Sequence, residues 1–144
     1  MYKRQSIAHV PQRIYLSDSS IKSNIAFGID EKDIDDDLIE EVAEKTKLSN
    51  FVENLPYKYE TIVGERGSFL SGGQIQRIGL ARALYKKSSI LVFDEATSAL
   101  DSKTESEVIE SINNLDRELT IIIIAHKLNA IKYFDRVLEF NKIK

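Results

Sequence analysis

The segment SSILVFDEATSALD, residues 88–101, decides the fold class of this 144-residue chain. Residues 90–93 are a continuous apolar run, which predicts a strand buried on both faces of a parallel sheet. The run ends in Asp94 and Glu95, and ligands of open α/β sheets bind beyond the carboxyl ends of the strands. The first carboxylate could hold Mg²⁺ and the second could orient a water, although a plain strand end before a helix start explains the same residues.

Further strands alternate with helices on both sides of this segment. QSIAHVPQ (residues 5–12) is predicted to be a short strand ended by Pro11, and TIIIIAH (residues 120–126) a second buried strand. KLNAIKYF (residues 127–134) is predicted to be a short helix, and DRVLEF (residues 135–140) a last strand. This alternation predicts the α/β fold class, with a parallel sheet and helical crossovers.

Helices are predicted in the segments between the first two strands. SSIKSNIAFG (residues 19–28) is predicted to be a short helix closed by Gly28, and LSNFVENLP (residues 48–56) another that a proline ends. The acidic segment 29–48 has a helical apolar spacing and collects its carboxylates at the helix start, which is typical of a solvated face rather than a metal site. Because residues 17–70 contain no clear strand, we predict a helical insertion into the α/β core.

A further helix follows the segment that opened this section. Residues 102–115, SKTESEVIESINNL, are predicted to begin with a capping box between Ser102 and Glu105. Asp101, directly before them, is expected to be an ordinary part of the helix start. The apolar side chains at helical spacing, which indicate the buried face, are Val108, Ile112 and Leu115.

A glycine pair opens the helix predicted from LSGGQIQRIGLARAL, residues 70–84. Ser71 and Gln74 fit a capping box at its start. Gly72 and Gly73 each cost roughly 1 kcal/mol of helix stability relative to alanine, which is reasonable where another group approaches the backbone closely. A helix start with accessible N–H groups is a ready anion site, yet this one lacks the lysine of an NTPase phosphate loop. This segment alone does not show which ligand the helix start would hold or which residues complete the site.

Composition excludes several other classes of protein. The chain has no cysteine, so it contains neither a disulfide nor a thiolate metal site. Its formal net charge of -3 argues against nucleic acid as a partner. No stretch approaches the roughly 18 apolar residues of a membrane-spanning helix, and the first residues lack the apolar core of a signal peptide. We therefore expect this chain itself to be soluble and cytosolic.

Taken in order, these segments resemble the nucleotide-binding domain of ABC transporters, and the resemblance extends over nearly the whole chain. Gln12 matches the Q-loop, residues 70–74 match the signature motif, and residues 90–95 match the Walker B strand with its catalytic glutamate. Residues 98–101 match the D-loop, and His126 matches the switch histidine. The combination is far more specific than any one of these motifs.

The resemblance implies a P-loop NTPase-type parallel sheet into which a helical subdomain is inserted. Residues 17–70 would form that subdomain, with the Q-loop at its start, and residues 71–144 the signature helix and the remaining α/β core. TIVGERG, residues 61–67, is similar to exporter-type domains, where it lies near the cytoplasmic loops of the transmembrane partner. The implied function is ATP hydrolysis that powers export or flipping of a substrate across a membrane.

The resemblance also implies a role for each matched residue. Glu95 would polarise the attacking water, and His126 would steady that water and the γ-phosphate. Asp94 and Gln12 would hold Mg²⁺ beside ATP, and Asp101 would bridge two ATP sites. The residues that would bind the ATP of an opposite domain are Ser71, Gly72, Gly73 and Gln74.

The implied partners are two protein domains, and nucleic acid is not among them. A second nucleotide-binding domain would pair with this one head to tail, so that two ATP molecules are sandwiched between them. The partner's Walker A loop would then supply the lysine that residues 70–74 lack. The transmembrane domain of the exporter would hold the pair at the cytoplasmic face of the plasma (inner) membrane.

One motif of the family is missing from this sequence. None of the six glycines is followed by lysine, so the Walker A loop G-x-x-x-x-G-K-[ST] is not in the chain. In the family this loop precedes the Q-loop, so we expect the chain to be N-terminally truncated and inactive alone. Two alternatives stay open: a non-catalytic remnant or pseudo-subunit that lends its signature loop to a partner, and an ABC-type ATPase that acts outside transport.

Overall fold

Three parallel strands form the sheet in a computed structural model, which describes residues 7–98, 100–115, 119–125 and 135–138. The strands are β1 (Ile7–Val10), β2 (Ile90–Asp94) and β3 (Thr120–Ile124), in the order β1-β2-β3. Each strand is only four or five residues long, and both pairings are parallel. The predicted parallel α/β sheet is therefore confirmed, with β2 at its centre.

The two faces of the sheet differ in burial. Ala8 of β1 and Leu91 of β2 lie on the covered face and are buried. On the opposite face, Ile7 is 64% exposed, and Ile122 and Ile124 are 48% exposed each. The prediction of a buried strand was therefore wrong for β3, whereas β2 is buried on one face and half-buried on the other. Exposed positions alternate with buried ones along β1 and with half-buried ones along β3, which is the pattern of a sheet covered mainly on one side.

Five α-helices are described along the chain. They are α1 (Ile21–Ile25), α2 (Asp36–Lys45), α3 (Ser49–Val52), α4 (Gly72–Tyr85) and α5 (Ser102–Asn113). Short 3-10 turns occur at Glu31–Asp33, Lys58–Glu60 and Glu65–Gly67. Between β1 and β2 the described chain forms no strand, and its one isolated bridge joins Ser20 to Ile62. The predicted helices of this region are confirmed, whereas its assignment to a separate subdomain stays a prediction.

Helix α4 joins the two groups of buried apolar side chains. Ile78 and Ala81 pack with α1, α2 and α3, in a group that also contains Leu16 and Val63. Leu80 and Ala83 of the same helix pack with β1, β2 and α5. A helix with apolar contacts on opposite sides is a central element rather than an amphipathic surface helix. Any shift of α4 therefore affects both the helical region and the sheet.

The start of α5 differs from its prediction. The residue that caps the helix is Asp101, and Ser102 is already the first helical residue. One carboxylate oxygen of Asp101 accepts hydrogen bonds from the backbone N–H groups of Lys103 and Thr104, each at 3.1 Å. Glu105 instead accepts a hydrogen bond from the Thr97 hydroxyl at 3.0 Å. Asp101 is the better cap because its carboxylate reaches two free N–H groups at once.

The C-terminal predictions are tested only in part. The predicted helix at residues 127–134 lies outside the described residues. Of the predicted strand at residues 135–140, the described part, 135–138, is exposed and forms no strand pairing, and residues 139–140 lie outside the description. Among the helices described, none has the length and apolar content needed to cross a membrane.

Candidate functional site

Gln12, Asp94 and Glu95 follow or end two neighbouring strands at the same edge of the sheet. Val10 ends β1 and pairs with Phe93, one residue before Asp94. Pro11 then stops the strand, because it has no N–H group to donate, and Gln12 comes next. Since β1 and β2 are parallel, their carboxyl ends meet at one edge, which is where α/β sheets bind ligands. The structure therefore brings these three predicted site residues to one edge.

The backbone of Glu95 turns sharply out of the sheet. Its φ is 50°, a left-handed conformation that is uncommon for residues other than glycine. Two hydrogen bonds hold the turn: the Glu95 N–H donates to the Ile124 carbonyl at 3.0 Å, and the Ser98 N–H donates to the Glu95 carbonyl at 3.0 Å. Such strained residues are concentrated at functional sites. Because of this turn, the Glu95 side chain does not follow the alternating side-chain directions of β2, the strand that carries Asp94.

The side chain of Asp94 lies on the open face of the sheet, near His9. The Nε2 atom of His9 is 3.8 Å from Oδ2 of Asp94, and both side chains are about half exposed. His9 is not among the site residues predicted from the sequence. The alternation along β1 would have placed it on the same face as Asp94, since Ala8 and Val10 are the buried neighbours.

Gln12 is held by residues from two distant parts of the chain. Its Nε2 atom donates a hydrogen bond to the Ser98 hydroxyl at 2.8 Å. Its backbone carbonyl accepts a hydrogen bond from Nε2 of Gln76 in α4 at 3.1 Å. Gln76 was missed by sequence analysis, and the one available signal was a polar residue on a buried side of the helix.

The predicted capping box at the start of α4 is confirmed. The backbone N–H of Ser71 donates to Oε1 of Gln74 at 2.8 Å, and the Gln74 N–H donates to the Ser71 hydroxyl oxygen at 3.3 Å. Ser71 and Gly72 are exposed, whereas Gly73 is buried. The group that approaches Gly73 closely is Thr104 of α5, since a Cβ atom added to Gly73 would lie 2.5 Å from its Cγ2.

The described residues of the 98–101 segment contact both the sheet edge and the start of α4. Ser98 contacts Gln12 at the sheet edge. The Leu100 side chain lies 3.5 Å from where a Cβ of Gly72 would be. Asp101 caps α5, and a hydrogen bond from the Thr104 hydroxyl at 2.6 Å lowers the pKa of its carboxyl, as do the backbone N–H bonds of the cap. His126, the remaining predicted catalytic residue, lies outside the described residues.

The donor atoms at the sheet edge suit a small hard cation. Asp94 provides carboxylate oxygens, and Gln12 provides a carboxamide oxygen, because its amide nitrogen is already bonded to Ser98. Magnesium is usually held by one or two carboxylates together with waters and phosphate oxygens. Within the part of the chain described, no three His, Cys, Asp or Glu side chains cluster as a metal site. The residues present therefore fit Mg²⁺ bound together with a phosphate ligand.

A parallel sheet with candidate ligand-binding side chains beyond the carboxyl ends of its strands is typical of nucleotide-binding α/β proteins. The family model for ABC transporters matches residues 2–98, and the chain belongs to this family. It is 42% identical over 135 residues to the ATP-dependent lipid A-core flippase of Chromohalobacter salexigens, a match that covers 94% of this chain and 23% of the flippase. It is 40% identical over 139 residues to the ABC transporter ATP-binding protein YknU of Bacillus subtilis, covering 96% of this chain and 23% of YknU.

A solved structure of an ABC exporter is also similar to this chain. A bacterial Atm1-family ABC exporter with ATP bound superposes with a TM-score of 0.76 at 39% identity, over 89% of this chain and 22% of the exporter chain. The chain thus spans less than a quarter of these bacterial relatives. The predicted family and the predicted fold class are both confirmed, and the chain corresponds to part of an ABC exporter.

The contact between Gly73 and Thr104 leads to a testable expectation. Alanine at position 73 should lower the free energy of unfolding by about 1 to 3 kcal/mol, since its methyl group overlaps Thr104. Adding Thr104→Ser removes the obstructing methyl, keeps the hydroxyl, and should restore most of the loss. Gly72→Ala is the matched control, because a Cβ there has an ordinary contact distance. Denaturant unfolding of the three variants tests this, and equal stability of Gly73→Ala and Gly72→Ala would contradict it.

Proposed function

We propose that this chain is the portion of an ABC exporter's nucleotide-binding domain that positions Mg²⁺ and the attacking water, and that the complete domain hydrolyses ATP to power export. The observation that carries the proposal is the meeting of Gln12, Asp94 and Glu95 at one sheet edge. The hydrogen bond from Gln12 to Ser98 supports it, since it ties the Q-loop residue to the segment after Glu95. Positioning and charge stabilisation supply most of the catalysis of phosphoryl transfer.

Each residue at the edge has a distinct chemical task in this proposal. Asp94 and Gln12 hold Mg²⁺, which neutralises charge on the phosphate oxygens when it is bound. Glu95 accepts a proton from the attacking water or orients it, as a carboxylate beyond the strand end can. His126 donates a hydrogen bond that steadies the γ-phosphate and that water.

The start of α4 is proposed to bind the ATP of a second domain in a head-to-tail dimer. Its exposed Ser71 hydroxyl and Gly72 N–H can donate to phosphate, and α4 is a 14-residue helix whose dipole favours an anion there. Thr104 and Leu100 of the same chain pack against this start.

The location and the membrane partner are proposed from the relatives. The matched proteins are named as exporters and flippases, so a transmembrane domain would hold this domain at the cytoplasmic face of the plasma (inner) membrane. The exposed aromatic side chains of the helical region, Phe69 and Tyr57 among them, offer apolar area for such a contact.

ATP hydrolysis by the complete polypeptide that carries this chain tests the proposal. Phosphate release should require Mg²⁺, and Asp94→Asn should lower it by about a hundredfold or more, because the carboxylate charge at the metal is lost. Asp33→Asn, a change at an exposed aspartate of the helical region, is the matched control and should leave the rate unchanged. An Asp94→Asn protein that hydrolyses ATP at the wild-type rate would refute the proposed site.

A further inference from the structure

The segment that follows β1 lies along one side of α4. Three contacts join the two: Gln12 to Gln76, Ile14 to Gly79, and Tyr15 to Arg82. The α4 partners are spaced three residues apart, which places them on neighbouring turns of one helix face. The close approach at the middle contact is possible because Gly79 has no side chain, since a Cβ there would lie 1.8 Å from Ile14. The exposed coil is thus attached to a buried helix at three successive points.

Within this coil, Gln12 is held by hydrogen bonds at both its backbone carbonyl and its side-chain amide. Gln76, only 7% exposed, donates to its backbone carbonyl, and Ser98 accepts from its side-chain amide nitrogen. The partners are 64 and 86 residues away along the chain, so neither bond is a local turn. An exposed glutamine side chain otherwise samples many rotamers, and fixing it costs conformational entropy. These two bonds provide that fixation.

We propose that Gln76 and Ser98 are positioning residues, which hold Gln12 so that its carboxamide oxygen is presented to the cation. This inference rests on the proposed function of Gln12. The hydrogen bond from Gln76 fixes the position of the Gln12 backbone relative to α4. Ser98 engages the nitrogen of the carboxamide and leaves the oxygen available. A cation ligand needs such preorganisation to bind with a useful affinity.

The first test measures the motion of the coil without nucleotide. A nitroxide on Arg13→Cys in the complete polypeptide, with any cysteines outside this chain replaced, reports this motion by electron paramagnetic resonance. Gln76→Met, which keeps the size but removes the donor, should raise the ratio of mobile to immobile label about fivefold, as expected for one lost hydrogen bond. Ser106→Ala, at an exposed serine of α5 bonded within its own helix, is the control. An unchanged spectrum for Gln76→Met would overturn the role of Gln76.

The second test measures the Mg²⁺ concentration that half-saturates ATP binding, in a Glu95→Gln background that prevents turnover. Ser98→Ala should raise this concentration about fivefold, and Ser98→Thr, which keeps the hydroxyl, should return it close to its starting value. Because Ser98 acts through Gln12, adding Ser98→Ala to Gln12→Ala should have no further effect. Should Gln76→Met fail to fold, this second test still decides the role of Ser98, whose hydroxyl is at the surface.

These outcomes distinguish failure of the positioning role from failure of the proposed function of Gln12. If Gln12→Ala weakens Mg²⁺-dependent binding but Ser98→Ala does not, or if their effects add, the positioning role is overturned while the proposed site stands. If Gln12→Ala has no effect on the Mg²⁺ dependence, the proposed function of Gln12 fails and the inference fails with it. A fivefold effect of Ser98→Ala, absent in the Gln12→Ala background and reversed by threonine, supports the inference.

Discussion

Replacing Glu95 with glutamine is expected to lower ATP turnover by the complete protein by about a hundredfold to ten-thousandfold, the usual contribution of a positioned general base. Glutamine keeps the size of the side chain but can neither accept the proton of the attacking water nor attract it with a charge. The left-handed turn at Glu95 and its hydrogen bond to Ile124 involve only the backbone, so both should persist in the variant. ATP binding and ATP-dependent association of two domains should therefore remain.

The measurement is phosphate release with saturating Mg-ATP, beside light scattering or cross-linking that reports association. Glu44→Gln, a change at an exposed glutamate of α2, is the matched control and should hydrolyse ATP normally. Normal turnover in Glu95→Gln would show that another group activates the water. Loss of ATP binding as well as turnover would show instead that Glu95 has a structural role.

Replacing Asn24 with leucine is expected to lower the free energy of unfolding by about 3 kcal/mol or more, because several buried polar groups lose their hydrogen-bond partner. Asn24 is fully buried in α1. Its side-chain oxygen accepts from the Ser17 N–H, and its side-chain nitrogen donates to the carbonyls of Ser17 and Ser20. Its own backbone carbonyl accepts from Nε of Arg82, a guanidinium whose pKa is lowered by burial.

The effect should be largest where the helical region meets α4. Arg82 reaches across from α4 to Asn24 and to the Tyr15 carbonyl, and its guanidinium lies 4.8 Å from the centre of the Phe27 ring. Thermal or denaturant unfolding measures the loss. Asn50→Leu, at an exposed asparagine of α3, is the control and should change stability by less than about 0.5 kcal/mol. Equal stability of the two variants would contradict the account of the Asn24 network.

Most of the fold could be predicted because its signals are local. The apolar run before Asp94 gave a strand, and the pair of Ser71 and Gln74 gave the start of α4, since capping depends on residues three apart. The choice of Asp101 rather than Ser102 as the cap of α5 was harder to predict, because both residue types are good caps. Burial of β3 could not be judged from its sequence, because an apolar run does not reveal how many faces are covered.

The contacts that organise the site were not predictable in the same way. Gln76 and Ser98 meet Gln12 from distant segments, and no local pattern reports a pairing over 64 or 86 residues. Sequence alone indicated that something approaches the signature glycines, but not that Thr104 is the neighbour of Gly73. The family motifs predicted which residues act at the site. The contacts that hold those residues in place depend on tertiary packing, which the motifs do not report.

The central claim is that each ATP site combines the sheet edge of one domain with the α4 start of another. Two inactive variants of the complete protein test it directly. Glu95→Gln removes the base, and Gly72→Glu places a carboxylate where the opposite phosphate should bind. The second change keeps a favourable acidic residue in the first turn of α4, so the helix should still form.

Each variant alone should be inactive, and co-assembly of the two should restore ATP hydrolysis. In a mixed dimer, one site contains Glu95 from one subunit and an intact α4 start from the other. Random pairing then gives about a quarter of the wild-type rate, since half of the dimers are mixed and each has one complete site. Co-assembled protein as inactive as either parent would contradict the shared site.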